Sequence, residues 1–143
     1  MAVARIASAA VARIAAAAVL VAAAGLAAGL AGCSKAGDPA KGPRDAVLDA
    51  WKAQKLAPTG LAPASVAFAK DCQAGTVENI DVLVCSFATP ADAKAAEEPA
   101  LAWVGTVTGA SQARGAALIV LADRKKADPN GRTINKLLKL APK

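Results

Sequence analysis

Histidine is missing from all 143 residues. That absence excludes Ser-His-Asp and Cys-His catalysis, histidine-ligated zinc and imidazole-based pH switching. Tyrosine is missing as well, and aromatics make up only 3% of the chain: Trp51, Trp103, Phe68 and Phe87. A core must therefore come mainly from Val, Leu, Ile and Ala around a few aromatic anchors, and the stacking platform that single-stranded nucleic acid requires is lacking. Acids are outnumbered, 11 against 17 Lys and Arg, yet the formal charge of +6 is mild. It suits solubility and weak attraction to anionic surfaces and falls far short of a dedicated nucleic-acid binder. No Gly-rich phosphate loop, paired-carboxylate motif or metal-ligand cluster is visible, and Asn130–Lys136, "NGRTINK", lacks the spacing of a P-loop. No cofactor is implied.

What the chain has in plenty is alanine, much of it before residue 33. Residues 1–13 carry Arg5 and Arg13 and no acid, and Ile14–Gly32 then runs without a charge. A positive start, an apolar run and small residues before a break make a secretory signal peptide. The run is also close to the length that spans a bilayer, so a retained anchor is the competing reading. Its richness in Ala and Gly, and its end in small residues rather than a basic stop, argue for cleavage.

The run closes on Leu30-Ala31-Gly32-Cys33. This tetrad resembles the lipobox of bacterial lipoproteins: leucine, two small residues and the cysteine whose thiol accepts a diacylglycerol. The resemblance covers about the first 33 residues. It implies cleavage after Gly32, acylation of Cys33, and acyl chains sufficient for stable anchoring. Ser34, standing where aspartate would retain a lipoprotein in the inner membrane, implies the outer membrane with the domain facing the periplasm. Without the leader, 15 Lys and Arg face 11 Asp and Glu, a net +4. Residues 33–42 read as the lipidated cysteine and a flexible tether, since Ser34–Gly42, "SKAGDPAKG", is small, polar and broken by Pro and Gly. Nine such residues reach at most ~30 Å.

Residues 43–143 read as a single α+β domain. Pro43–Leu56 has proline at a helix start, early acids, and Val47, Leu48 and Trp51 on one face. "APTGLAP" then breaks the chain. Ser65–Cys72 and Ile80–Phe87 read as strands, with "QAGTVEN" turn-like between them. Residues 91–98 form a short helix with Pro90 ahead of it, and Pro99 interrupts before a second piece that packs Trp103. A strand at Val104–Ser111, a turn at Arg114-Gly115, and a strand at Ala117–Ala122, "ALIVLA", follow. The last helix is expected to start near Asp128-Pro129, with Ile134, Leu137, Leu138 and Ala141 on one face. The order α-β-β-α-β-β-α predicts a two-layer domain, an antiparallel sheet of about four strands packed with helices. Val107–Gly109, Ala117–Arg124 and Asp128–Asn135 resemble stretches of small uncharacterised lipoproteins from GC-rich bacteria such as myxobacteria, a likeness that implies no activity.

Cys72 and Cys85 bracket the predicted hairpin, and placing them opposite each other centres its turn on Glu78-Asn79. In an oxidising compartment this predicts a structural disulfide. A redox-active pair, the alternative, takes C-x-x-C spacing at a helix start rather than twelve intervening residues. Arg124, Lys125 and Lys126 read as a solvated loop, or, joined with Arg132, Lys136, Lys139 and Lys143, as a basic contact patch for anionic headgroups or an envelope protein. Asp123 reads as a local partner of Arg124, and Glu97-Glu98 as an exposed helix end. Two functions fit: a membrane-anchored, non-catalytic envelope binding or structural module, or a tethered enzyme or small-ligand-binding protein whose site assembles only in three dimensions. A deep polar pocket holding a strongly perturbed acid or lysine favours the second, and an apolar or basic surface patch the first.

Overall fold

The computed structural model describes residues 41–143. The leader at 1–32, the tetrad Leu30, Ala31, Gly32 and Cys33, and most of the tether lie outside the described residues. The elements run α1 (Pro43–Ala53), β1 (Thr59–Val66), β2 (Ala69–Val77), β3 (Ile80–Ser86), α2 (Pro90–Ala95), α3 (Glu97–Val104), β4 (Gly109–Arg114), β5 (Ala117–Ala122) and α4 (Arg132–Leu140). The class is α+β, built on one antiparallel sheet of five strands in the order β1-β2-β3-β5-β4.

Successive side chains of a strand point to opposite faces, and here both faces are covered. Val82 and Val84 of β3 with Ile119 and Leu121 of β5 meet Val47, Leu48 and Trp51 of α1 and Ile134 and Leu137 of α4. Leu83, Cys85, Leu118 and Val120 meet Ala96, Ala100 and Val104 around α2 and α3 on the other face. The helices thus form a layer on each side of the sheet instead of one. Every residue of β5 is buried, as are five of the seven in β3. The unbroken apolar runs "VLV" and "ALIVLA" have that cause, because a strand buried on both faces has no reason to alternate.

The fifth strand, β1, occupies the stretch expected to be only a break and the start of a strand at Ser65. It contains Pro63, a positive-φ Gly60 and two register shifts against β2. It is an edge strand, where a missing N–H and a bulge are tolerated and also blunt the exposed rim. The expected strand Ser65–Cys72 is instead split by the Ala67-Phe68 turn of the β1–β2 hairpin. Most of "QAGTVEN" lies within β2, and only Glu78 and Asn79, both at positive φ, make the turn into β3. Two such residues match the right-handed twist of the strands they join.

α1 stops at Ala53 rather than Leu56. Lys55 takes a left-handed conformation, Leu56 N–H donates to Trp51 O at 2.9 Å, and Lys55 N–H donates to Lys52 O at 3.0 Å. This pair of bonds closes the helix end as glycine usually does. Pro90 begins α2 as its first residue, behind Thr89, whose Oγ1 accepts from Asp92 N–H at 3.1 Å. Pro99 does not interrupt. It sits in the first turn of α3, where the N–H it lacks has no partner anyway, and the break falls at Ala96. The strand expected from Val104 starts only at Gly109, because Val104 is the buried last residue of α3.

At Gly109 the end of α3 and β5 press against β4. A Cβ there would lie 2.3 Å from Leu121 O and 2.4 Å from Val104 Cγ1. Main chain cannot step aside as a side-chain tip can. Gly109→Ala is expected to destabilise the domain by about 2 kcal/mol, as overpacking does, read as a lower urea midpoint with an unchanged slope.

Candidate functional site

Cys72 and Cys85 are cross-strand partners of β2 and β3 and form a disulfide, with 2.09 Å between the sulfurs. Both are buried, 3% and 0% exposed, beneath the α2–α3 layer. The bond fastens the edge hairpin β1–β2 to the central strand. It lies within the core, away from any helix start, a setting in which a thiol is inert rather than reactive.

The carboxyl-terminal segment carries the most built-up surface. Its organiser is a pair of buried carboxylates, Asp123 and Asp128. Asp123 does not pair with Arg124. Its oxygens accept from Ala127 N–H at 2.8 Å and Asp128 N–H at 2.7 Å, which folds the loop after β5. Asp128 then accepts from Arg132 N–H at 2.8 Å and Ile134 N–H at 3.0 Å, serving the unpaired donors at the start of α4. The helix starts at Arg132, four residues after the expected cap, yet Asp128 still caps it from outside while Gly131 turns the chain. At the other end, Trp51 Nε1 donates to Leu137 O at 2.9 Å and Arg114 Nη2 to Leu138 O at 3.1 Å. Both ends of a nine-residue helix, too short to be stable alone, are thereby tied to the domain.

With Ile134, Leu137 and Ala141 buried, α4 turns Arg132, Lys136 and Lys139 outward. With Asn135 and Leu140 they line one shallow groove. None of the three enters an ion pair among the described residues. The wider seven-residue patch does not assemble as one set. Arg124 turns to the α3 side, where its guanidinium lies 4.2 Å from the centroid of Trp103, donates to Trp103 O at 2.6 Å, and pairs with Asp81 at 2.9 Å. Lys126 borders a separate cleft with Thr106, Thr108, Asp123 and Pro129, and Lys125 is exposed.

A second surface was not visible in the sequence. Val66, Ala67 and Phe68, from the end of β1 and its turn, face Pro99, Ala102 and Trp103 of α3 across an apolar groove of about 570 Å³. That is within the size range of small-molecule sites, though this one is open and holds no charged lining residue. Leu101, 49% exposed, stands on the same helix. Phe68 falls in a turn that only the β1–β2 pairing creates, so no local signal announced it.

Two acids outside these surfaces, Glu97 and Asp49, have displaced titration. Burial alone would raise the pKa of Glu97, but hydrogen bonds from Lys94 and from Ala113 N–H outweigh it and hold the carboxyl below its ordinary value. Glu97 is thus a half-buried tie between α3 and β4 rather than a free helix end. Asp49 is lowered by its hydrogen bond from Lys41. Among the described residues, no cluster of His, Cys, Asp and Glu could hold a metal ion, and no helix is long and apolar enough to cross a membrane. No protein-family model, curated protein or solved structure matches this chain.

Proposed function

We propose that this chain is a lipid-anchored lipoprotein of the bacterial envelope, and that its domain is a non-catalytic module that binds another envelope component. The observation that carries the reading is the disulfide. It accounts for Cys72 and Cys85, so the one cysteine left over among three stands in Leu30-Ala31-Gly32-Cys33. An exported chain explains both facts at once: an oxidising space pairs two thiols, and lipidation consumes the third. Ser34 favours the outer membrane by the usual sorting rule. Two exposed surfaces of different chemistry, an apolar groove and a basic helix, support binding as the domain's work.

Mass spectrometry of the membrane fraction tests this. The wild-type chain is expected to begin at Cys33 with added acyl mass, and Cys33→Ala to begin at Met1 without it. A wild-type chain beginning at Met1, or lacking acyl mass on Cys33, would overturn the reading.

A further inference from the structure

We propose that α4 is the face on which this domain rests against an anionic phospholipid surface. The proposal deepens the anchored reading above, on which the role of the tether depends.

Charge is the first argument. α4 contains no acid, and Arg132, Lys136 and Lys139 project from it without ion-pair partners among the described residues, with Lys143 just beyond. The acids of the neighbouring α1 do not offset them, because Asp45 pairs with Arg44, and Asp49 with Lys41 and Lys52. Each cation at an anionic membrane favours contact by roughly fivefold, and three together by on the order of a hundredfold at low salt.

Placement is the second. Ser86, Ala117 and Arg114 form one row across β3, β5 and β4. At one end of the row, Arg44 N–H at the start of α1 donates to Ser86 Oγ at 3.3 Å. At the other, Arg114 donates to Leu138 O in α4. Neighbouring strands lie about 4.8 Å apart, so the start of α1 and the last turn of α4 are held at the two ends of one short row of three strands. α1 and α4 also cover the same face of the sheet. A tether of at most ~30 Å therefore leads from the membrane to the end of the domain where α4 finishes with Lys139, and Lys136 and Arg132 follow back along the same exposed helix face. The caps at both ends of α4 keep them in place as one surface.

The test uses the full chain taken from membranes and reconstituted into vesicles of phosphatidylcholine, alone or with a third of phosphatidylglycerol. An amine-reactive label is applied and each lysine is read by peptide mass spectrometry. Lys70, exposed on β2 away from α4, is the internal reference. Labelling of Lys136 and Lys139 relative to Lys70 is expected to fall roughly fivefold in the anionic vesicles. It is expected to stay unchanged in the neutral ones and to recover at about 0.5 M salt, where charges are screened within a few Å. Arg132→Glu with Asn135→Glu, both exposed positions, is expected to abolish the protection while keeping the reporter lysines. Equal labelling in the two vesicle types, an equal fall at every lysine, or the same protection by inorganic phosphate without anionic lipid would each overturn the proposal. The same digest reports Cys33. Acyl mass present with α4 unprotected refutes this proposal alone, and acyl mass absent with α4 protected refutes the anchor alone.

Discussion

Trp51→Ala is expected to lower the thermal unfolding midpoint by roughly 20 °C. Trp51 is wholly buried at the meeting of α1, α4 and the sheet, among Val47, Leu56, Ile119 and Leu137. Truncating such a side chain costs about 3–5 kcal/mol, through lost burial and the cavity left behind, and each kcal/mol moves the midpoint of a domain this size by ~4–8 °C. A second loss adds to the first. The indole N–H serves Leu137 O, one of the last carbonyls of α4, which have no partner inside their own helix. Trp51→Phe separates the two, since it keeps most of the volume and removes the donor, and is expected to cost about 1–2 kcal/mol. Circular dichroism melts of the three proteins read both numbers. Similar midpoints for Trp51→Ala and wild type would show that α1 and α4 do not depend on each other.

Removing the disulfide is expected to cost about 3 kcal/mol. Cys72 and Cys85 are 13 positions apart, and a closed loop of that length restricts the unfolded chain by about this much. Against the ~5–15 kcal/mol of a typical domain the loss is large. Reductant, or Cys72→Ala with Cys85→Ala, should lower the urea midpoint to the same extent, with β1 and β2 losing amide protection before β3 and β5. Thiol counting on the purified chain without reductant should find neither cysteine reactive. Two reactive thiols would sink the assignment, and equal protection of all four strands would show that the bond does not hold the edge hairpin.

Legibility followed local physics. α1 and the apolar face of α4 could be read from spacing, since Val47, Leu48 and Trp51, and Ile134 and Leu137, recur as a helix requires. β3, β5 and the Glu78-Asn79 turn were equally plain, and with that turn the register that pairs the cysteines. β1 was hidden by Pro58, Gly60 and Pro63, which disqualify a central strand but not an edge. Val104, Thr106, Val107 and Thr108 look like a strand by composition, but packing onto Gly109 claims Val104 for α3. Chain order also groups basic residues that the fold separates. Arg124 neighbours Lys125 along the chain, but its guanidinium is drawn to the Trp103 ring and to Asp81 on the far side of the sheet from α4. Asp123 was read as the partner of its neighbour Arg124, whereas it accepts from the backbone N–H groups of Ala127 and Asp128, and the cap expected of Asp128 reaches farther along the chain, to Arg132 and Ile134.

The order of strands has a consequence for the birth of the domain. β1, β2 and β3 can zip together as soon as they emerge, each beside its predecessor. β4 cannot, because the strand it pairs with, β5, is made after it and lies between β3 and β4. Trp51, near the start, waits still longer for the carbonyl of Leu137. The middle of the sheet therefore cannot be completed before β5 is in place, and the tie between α1 and α4 cannot form before the last helix is.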